Sequence, residues 1–589
     1  MRTSAGRRWS QLRLQPWMPA VGLAIIAWII VAPWGDYGLN DDWTYAHIAK
    51  QYALTGHIRL DLPTAATAAG PAVIAAPFLR LFGFSHVILR ILSMLFSCFA
   101  IVAFDRLLVH VTERFSLRVM CLVLLVFNPI YFYASTSYMT EIHGWAPALV
   151  ACALWFWDRR RADVRAEADG KERSAISWWV SILVGVIAGS TFWTRQWCVL
   201  VYPALLGATG LRLLLEKRWT TIVRTLPGLA LGAPLYFLVI WSFFPWARAT
   251  GNLRPEFVGQ IPNITKFDRD VFIMQAGSAL IYMSVFFFPL LALSSWRRES
   301  RRLLYPLALC LLFLALYARS QFEATSTSDE SFSAWTHKTF PFVSNIIYNA
   351  GIGPVTIDDA FAHHGARPSW PREIWAGLEV LFVAATAAWS PVILNTARVL
   401  TTRRRTVGYE VSVFGLLLTF GCLVAALQVY KNEINDRYYL PLVFGTLLFV
   451  PATLDFVRGQ APDLVLREKI AVFALFLLPL AWFSIAGVHD EFRWQDARWK
   501  LVTSGLRHGA THATLQSGYE VNCWFRYEDL TDEEKQCKGG CTCRMGPGFC
   551  CLDDRWRVGM SLLPGYTQVE AIQPHYWLTS GPPMLLSKR

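Results

Sequence analysis

The sequence predicts an all-α polytopic membrane protein with about 13 transmembrane helices and a small disulfide-rich extracytoplasmic C-terminal domain. Three observations lead there. Hydrophobic residues make up 54% of the 589-residue chain and charged residues only 16%, where a soluble protein carries roughly 25% charge. Apolar runs of about 20 residues, long enough to cross a bilayer, recur along the chain. Arginine runs sit between them, and six of the twelve cysteines crowd one stretch of the tail. The net charge of +13 is thus a product of topology, and no nucleic-acid partner is needed to explain it.

Taken in order, the predicted spans are Trp17–Trp34, His86–Phe104, Leu117–Ala134, Ile142–Trp157, Ile176–Trp193, Trp197–Leu214, Thr225–Trp246, Val271–Leu293, Leu303–Tyr317, Ile374–Leu394, Val411–Tyr430, Tyr438–Val457 and Ile470–Val488. Several end in Trp or Tyr, whose rings settle at the headgroup level. Only Thr194-Arg195-Gln196 separates the fifth span from the sixth, which makes those two a tight hairpin.

Charge sets the orientation. Arg2, Arg7, Arg8 and Arg13 precede the first span. Alternate connections on the same side receive Arg159-Arg160-Arg161, Lys217-Arg218, Arg297-Arg298 and Arg403-Arg404-Arg405. By the positive-inside rule the N-terminus is expected in the cytoplasm of a multi-pass inner (plasma) membrane protein. The first span lacks a following small-residue cleavage site and is not read as a signal peptide.

The outward regions are then loops 35–85, 247–270 and 319–373, together with a separate domain, 489–589, that follows the 1–488 membrane domain. In the first loop Trp43–Leu54 has helical apolar spacing, with Gly56 placed to end the helix. The tail alternates short strand-like runs, such as Thr514–Trp524, with turns. Its Cys523, Cys537, Cys541, Cys543, Cys550 and Cys551 suit disulfides in an oxidising compartment, with a zinc site as the competing reading. Cys98, Cys121, Cys152, Cys198, Cys310 and Cys422 lie singly in spans and read as small packing residues.

Charged residues at membrane depth are costly, so each is a candidate for function. The pair Asp41-Asp42 stands at the membrane surface on a segment too polar to enter lipid. Glu141 and His143 occupy the mouth of the third-to-fourth hairpin, Arg195-Gln196 the tip of the next, and Lys431 and Arg437-Tyr438 the turn before the twelfth span. Arg90 lies a few residues inside the second. Each has a plainer reading. One aspartate could cap the following helix and Glu141 could cap the fourth span; Arg195 and Arg437 could snorkel to headgroups; His143 could simply pack. His363-His364 and Asp358-Asp359 are explained as well by loop polarity as by metal binding.

The stretch Asn40-Asp41-Asp42-Trp43-Thr44-Tyr45-Ala46, running on to Gly56, resembles the first outward loop of the GT-C membrane glycosyltransferases, in the branch of the protein O-mannosyltransferases and the bacterial aminoarabinose transferase. Gly83-Phe84 with Leu89-Arg90, Tyr138-Met139-Thr140-Glu141, Thr194-Arg195-Gln196, Asp436-Arg437-Tyr438-Tyr439-Leu440-Pro441 and Gly518-Tyr519-Glu520 follow in the family's order. The chain departs from the pattern at Asp42, often Glu there, and at Ala69-Gly70-Pro71, which replaces a Lys-Pro-Pro-like element that would supply a donor-phosphate contact. The cysteine cluster is foreign to the pattern.

The resemblance implies transfer of a sugar from a polyprenyl-phosphate donor to an acceptor hydroxyl on the extracytoplasmic side, with inversion. It assigns Asp41 as general base, with Asp42 or Glu141 orienting the acceptor. Arg437 and Arg195, then Lys431 and Arg90, would hold the donor phosphate; Tyr45, His143, Gln196 and Tyr438 would line the substrate site. No metal is required by this scheme, although a divalent ion bridging the acids is compatible with it. The partners implied are the lipid-linked donor, a lipid, glycan or protein acceptor, and membrane lipids. Two other classes fit parts of the sequence. A lipid or sugar transporter or flippase would place its charges at the midplane and often shows an internal repeat; a non-catalytic envelope-assembly subunit would have an inert first loop. A transferase using a polyprenyl-diphosphate oligosaccharide would lean on a metal.

Overall fold

A computed structural model describes residues 15–61, 64, 66–169, 176–217, 219–253, 269–293, 346–347, 372–402, 406–429, 435–458, 466–529, 555–578 and 582–589. The predicted span Leu303–Tyr317, loop 319–373 apart from residues 346–347 and 372–373, His363-His364, Asp358-Asp359, Lys431 and the cysteines from Cys537 to Cys551 lie outside the described residues. Six described helices are long and apolar enough to cross a membrane, or seven if one bent pair is a single span. The expected count of about 13 is therefore not reproduced among the described residues. Several predicted spans form apolar helices of 10–17 residues instead, such as Trp17–Val31 and Trp178–Trp193.

The chain begins with α1 (Trp17–Val31), then forms two short helices of the first loop, α2 (Asp42–Thr55) and α3 (Ala69–Phe82). Helix α2 fills the place predicted for it. Gly56 ends it at φ +74°, giving its N–H to the Tyr52 carbonyl at 2.9 Å, a left-handed cap that glycine adopts without strain. Helix α4 (His86–Val111) is the first long span, capped by the Ser85 hydroxyl accepting from the Val87 N–H.

The predicted third span is broken. Helices α5 (Phe115–Val126) and α6 (Pro129–Thr136) meet at 62°. Pro129 has no N–H to continue the ladder and holds Asn128 extended, while the Asn128 side chain accepts from the Ile130 and Tyr131 amides to restart the helix. Helix α7 (Thr140–Asp169) follows, then α8 (Trp178–Ser190). The connection to α9 (Val201–Leu215) is the tight hairpin expected, built from 3-10 turns Thr191–Trp193 and Gln196–Leu200 on either side of Thr194-Arg195.

Helices α10 (Trp219–Ala249), α11 (Arg269–Leu291), α12 (Arg372–Ala385), α13 (Trp389–Thr402), α14 (Val407–Val429) and α15 (Leu440–Arg458) complete the membrane bundle. Side chains such as Ile29, Phe99, Trp241 and Phe420 are exposed on its outside, and polar groups turn inward. That is the arrangement of a protein whose outer solvent is lipid.

Helix α16 (Leu466–Arg507) is 42 residues long, about 63 Å at 1.5 Å per residue, roughly twice a bilayer core. The boundary expected between 488 and 489 falls inside it. Its outer half carries Trp494, Ala497, Leu501 and Val502 into the small core of the tail. There β1 (Leu515–Gln516), α17 (Tyr519–Arg526), β2 (Trp556–Gly559), β3 (Thr567–Ile572) and β4 (Met584–Lys588) form a sheet of order β1-β2-β4-β3 beside one helix. The strand-like reading of Thr514–Trp524 is corrected: only Leu515–Gln516 is strand, and the rest turns at Gly518 into α17, whose Val521, Trp524 and Phe525 pack inward. Cys523 is buried on that helix; the stapling expected of the cluster depends on residues outside those described.

Candidate active site

Four charged side chains from distant parts of the chain meet at one end of the bundle. Asp41 stands at the start of α2 and Glu141 in the first turn of α7, while Arg195 lies between the 3-10 turns of the hairpin and Arg437 in the 3-10 turn that opens α15. Arg437 Nη1 lies 2.7 Å from Asp41 Oδ2, and its Nε 3.7 Å from Glu141 Oε1. Arg195 Nη2 lies 2.8 Å from the same Glu141 oxygen, and its Nη1 donates to Thr140 Oγ1 at 3.0 Å. Both guanidiniums sit over the Tyr438 ring, at 5.1 and 5.6 Å from its centre.

The glycine at position 70 permits this convergence. A Cβ there would collide with the Thr194 hydroxyl, so the first loop can lie on the hairpin tip only without one. Ala68 N–H donates to the Thr194 carbonyl and Thr67 to that of Phe192. Tyr138 donates to the Pro71 carbonyl at 2.7 Å, tying the same loop to the mouth of α7.

The burial pattern separates the four. Glu141, Arg195 and Arg437 are buried, whereas the Asp41 side chain is 25% exposed. Neither arginine snorkels, and Glu141 directs its carboxylate at guanidiniums rather than at helix amides. The contacts of Arg437 with Asp41 and of Arg195 with Glu141 are close in distance but off-axis: neither Glu141 oxygen, nor Nε or Nη1 of Arg437, has an aligned hydrogen bond. Such charges are held together while retaining capacity to bond a ligand.

Asp42 points elsewhere. It is buried and accepts the Leu39 and Tyr138 amides, the second at 3.2 Å. Burial pushes its carboxyl up to about 7, against the pull of Arg90 and the two amides. Its geometry locks the turn before α2 onto the mouth of α7, which differs from an acceptor-orienting role. Arg90 likewise does not join the cluster. It is fully buried, donates to the Gly35 and Tyr37 carbonyls, and lies against the Tyr37 and Phe492 rings.

Tyr45, one helical turn after Asp41, is buried within the field of Arg437, Arg195, Asp41 and Glu141. Burial raises its phenol well above the ordinary range, so it stays protonated. Tyr438 is the aromatic floor beneath both arginines, and Gln196 is half-buried next to Arg195. His143 turns away: Nδ1 bonds the Met139 carbonyl at 2.9 Å and the ring packs between Phe96 and Tyr138.

Two contributions were not assigned from sequence. Thr140 orients Arg195. Asp436, buried beside Arg437, accepts the Ile346 and Ile347 amides at 2.8 and 2.7 Å and so fixes residues 346–347 against the site. The adjacency of Asp436 to Arg437 was the available signal, but its partner lies 90 residues away. The tail also closes on the first loop. Glu520 accepts the Asn40 amide at 3.2 Å, next to Asp41, and is held by Arg498 at 2.9 Å. Among the described residues no group of three or more His, Cys, Asp or Glu is arranged to hold a metal ion.

No protein-family model matches the chain, and no curated protein matches it. Among solved structures it is similar to the oligosaccharyltransferase AglB from Archaeoglobus fulgidus in complex with an inhibitory peptide and a dolichol-phosphate (13% identity, 82% of this chain and 58% of that one, TM-score 0.41). It is also similar to ArnT from Cupriavidus metallidurans in the apo state (14% identity, 89% of this chain and 85% of that one, TM-score 0.38). The same ArnT bound to undecaprenyl phosphate gives 13% identity, 86% and 83% coverage and a TM-score of 0.38. The chain thus spans little more than half the length of the archaeal protein.

Proposed function

We propose that the chain is an integral-membrane glycosyltransferase that moves a sugar from a polyprenyl-phosphate donor to an acceptor hydroxyl at the outward face. The observation that carries the reading is the 2.7 Å contact of Arg437 with the partly exposed Asp41, beside the Glu141–Arg195 pair. A base open to solvent and two cations able to meet phosphate oxygens are what the reaction needs in one place. The described charge of this kind gathers at the two ends of the bundle, Asp41, Glu141, Arg195 and Arg437 at one and Arg159, Arg212 and Glu410 at the other, which favours a surface reaction over passage through the midplane.

In the reaction, Asp41 takes the acceptor's hydroxyl proton as that oxygen attacks C1 of the sugar. The C1–O bond to phosphate breaks and its electron pair stays on the lipid phosphate, which becomes a dianion. Arg437 and Arg195 stabilise the added charge. Attack opposite the leaving phosphate inverts C1. Arg437 therefore has two anionic partners in turn, Asp41 at rest and phosphate as the donor departs. As Asp41 is protonated it releases Arg437, so proton transfer and phosphate stabilisation are coupled. Tyr45 remains a neutral donor, and the Tyr438 ring lies beneath both guanidiniums.

The test is mass spectrometry of envelope lipids, glycans and proteins from a deletion strain and from the strain restored with wild type or Asp41→Asn. A glycoform lost on deletion, regained with wild type and absent with the variant supports the reading. An envelope unchanged by the deletion, or fully restored by the variant, overturns it.

A further inference from the structure

At the opposite end of the bundle lies a cavity that the transfer reaction does not use. It has a volume of about 670 Å³ and is bounded by the end of α4, the following turn, α7, α13, the start of α14 and Ala452 of α15. Glu141 and Arg160 share α7, 19 residues apart, which at 1.5 Å per residue separates the cavity from the candidate active site by about 28 Å. Its floor depends on a close approach, because a Cβ on Gly408 would run into the His110 carbonyl.

The cavity has two kinds of lining. Val111, Val399, Val407 and Ala452 are apolar and buried, joined by Val109; Arg114, Arg160 and Thr406 are polar and exposed, and so form its rim, with Thr112 buried beneath them. Arg160 is exposed and makes no hydrogen bond or ion pair with any described residue. The acids nearby are mostly engaged: Asp163 pairs with Arg212 at 2.9 Å, leaving the exposed Glu113 as the opposing charge at the rim. The level of the rim is marked by Trp157, 43% exposed, with Arg161 stacked on it at 4.4 Å. A large exposed indole beside snorkelling arginines belongs at the headgroup layer. This is also the end that receives the arginine runs.

From this geometry we infer that the cavity is a binding site for an anionic phospholipid, its phosphate taken by Arg114 and Arg160 and the first carbons of its chains lying on the valine wall. A soluble anion would use the rim but gain nothing from the apolar side. A zwitterionic lipid would use the apolar side but gain less from two cations. Only an anionic lipid uses both, and a leaflet rich in such lipids adds its own attraction for basic residues. The inference does not depend on the sugar-transfer reading.

The test uses the full chain purified in detergent, incubated with an equimolar mixture of phosphatidylglycerol and phosphatidylcholine, with retained lipid counted by native mass spectrometry. Wild type retains phosphatidylglycerol preferentially. Arg114→Gln with Arg160→Gln lowers that retention about thirtyfold, the worth of two basic residues at a lipid surface. Glu113→Gln raises it. Arg161→Gln with Arg165→Gln, exposed on the same face but outside the cavity, changes it less than threefold. All five sites are exposed, and an unchanged melting temperature confirms folding. Equal retention of the two lipids, an equal loss in the Arg161/Arg165 variant, or displacement of the lipid by millimolar inorganic phosphate would each overturn the assignment.

Discussion

Two clusters of arginines and carboxylates lie at opposite ends of the bundle, and they are built differently. At the basic face, Glu410 accepts from Arg159 at 3.1 Å and from Arg212 at 3.0 Å, and Arg212 also donates to Asp163 and Glu216 at 2.9 and 3.0 Å. Every one of these ion pairs is also an aligned hydrogen bond. At the end that holds Asp41 the distances are as short, yet Arg437 and Glu141 lack alignment, and Asp41 is open to solvent. The comparison teaches that proximity of charges does not identify a site. Aligned ion pairs mark a brace that joins α7, α9 and α14, even though Arg159 Nη1 makes no hydrogen bond there; misaligned pairs with one exposed acid mark a place for a ligand.

The strongest way to break that distinction is at Asp41. Asp41→Asn keeps shape and removes the base, so transfer should fall by about 10²- to 10⁴-fold with the melting temperature unchanged, as measured by product formation per folded protein. Loss of fold with no specific loss of turnover would make Asp41 another brace. The reverse outcome is expected at the other end. Arg212→Ala leaves the Glu410 and Asp163 carboxylates without a main partner, costing about 3–5 kcal/mol. Thermal unfolding in detergent should show the loss, while turnover per folded molecule stays near wild type.

Arg195→Lys gives a smaller effect. A lysine keeps the charge but cannot span Thr140 and Glu141 with one planar fork. Transfer is expected to drop roughly tenfold, about 1.4 kcal/mol, with little change in stability; wild-type kinetics would remove Arg195 from the site.

Asp42 supplies the mildest test. Its folded pKa of about 7 is raised above the ordinary 3.8, so the folded state binds the proton more tightly than the unfolded one. Its contribution to stability is full below about 4 and is lost as pH rises through about 7. Asp36 behaves oppositely, because the His86 side chain holds it down to about 2. Its contribution is present above 3.8 and lost as pH falls through about 2. Asp42→Asn should flatten the stability profile between pH 4 and 7 without touching the acid limb, as read by melting temperature against pH. An unaltered profile would show that Asp42 is not titrating in the fold.

Much of the frame could be read from residue type and order. Helix α2 with its Gly56 cap, the hairpin at Arg195 and α14 follow from apolar periodicity and caps, whereas α7 (Thr140–Asp169) runs twelve residues past the expected end at Trp157. The convergence of Asp41, Glu141, Arg195 and Arg437 was expected because each stands at the same end of its span. What escaped is tertiary in origin. Arg90 and Asp42 looked like site charges, yet backbone groups claim them; a sequence does not show where a loop's carbonyls and amides will lie. The break at Pro129 was hidden inside an apolar run, and α16 runs past its expected end because its outer half is amphipathic against the tail core.

The central claim is that Asp41 and phosphate compete for Arg437. Binding of polyprenyl phosphate to the purified chain, compared between wild type and Asp41→Asn at neutral pH, tests it most directly. The account predicts that the variant binds the lipid phosphate more tightly, by about tenfold, although it no longer transfers sugar. Equal or weaker binding in the variant, with Arg437→Gln also leaving the affinity unchanged, would contradict it.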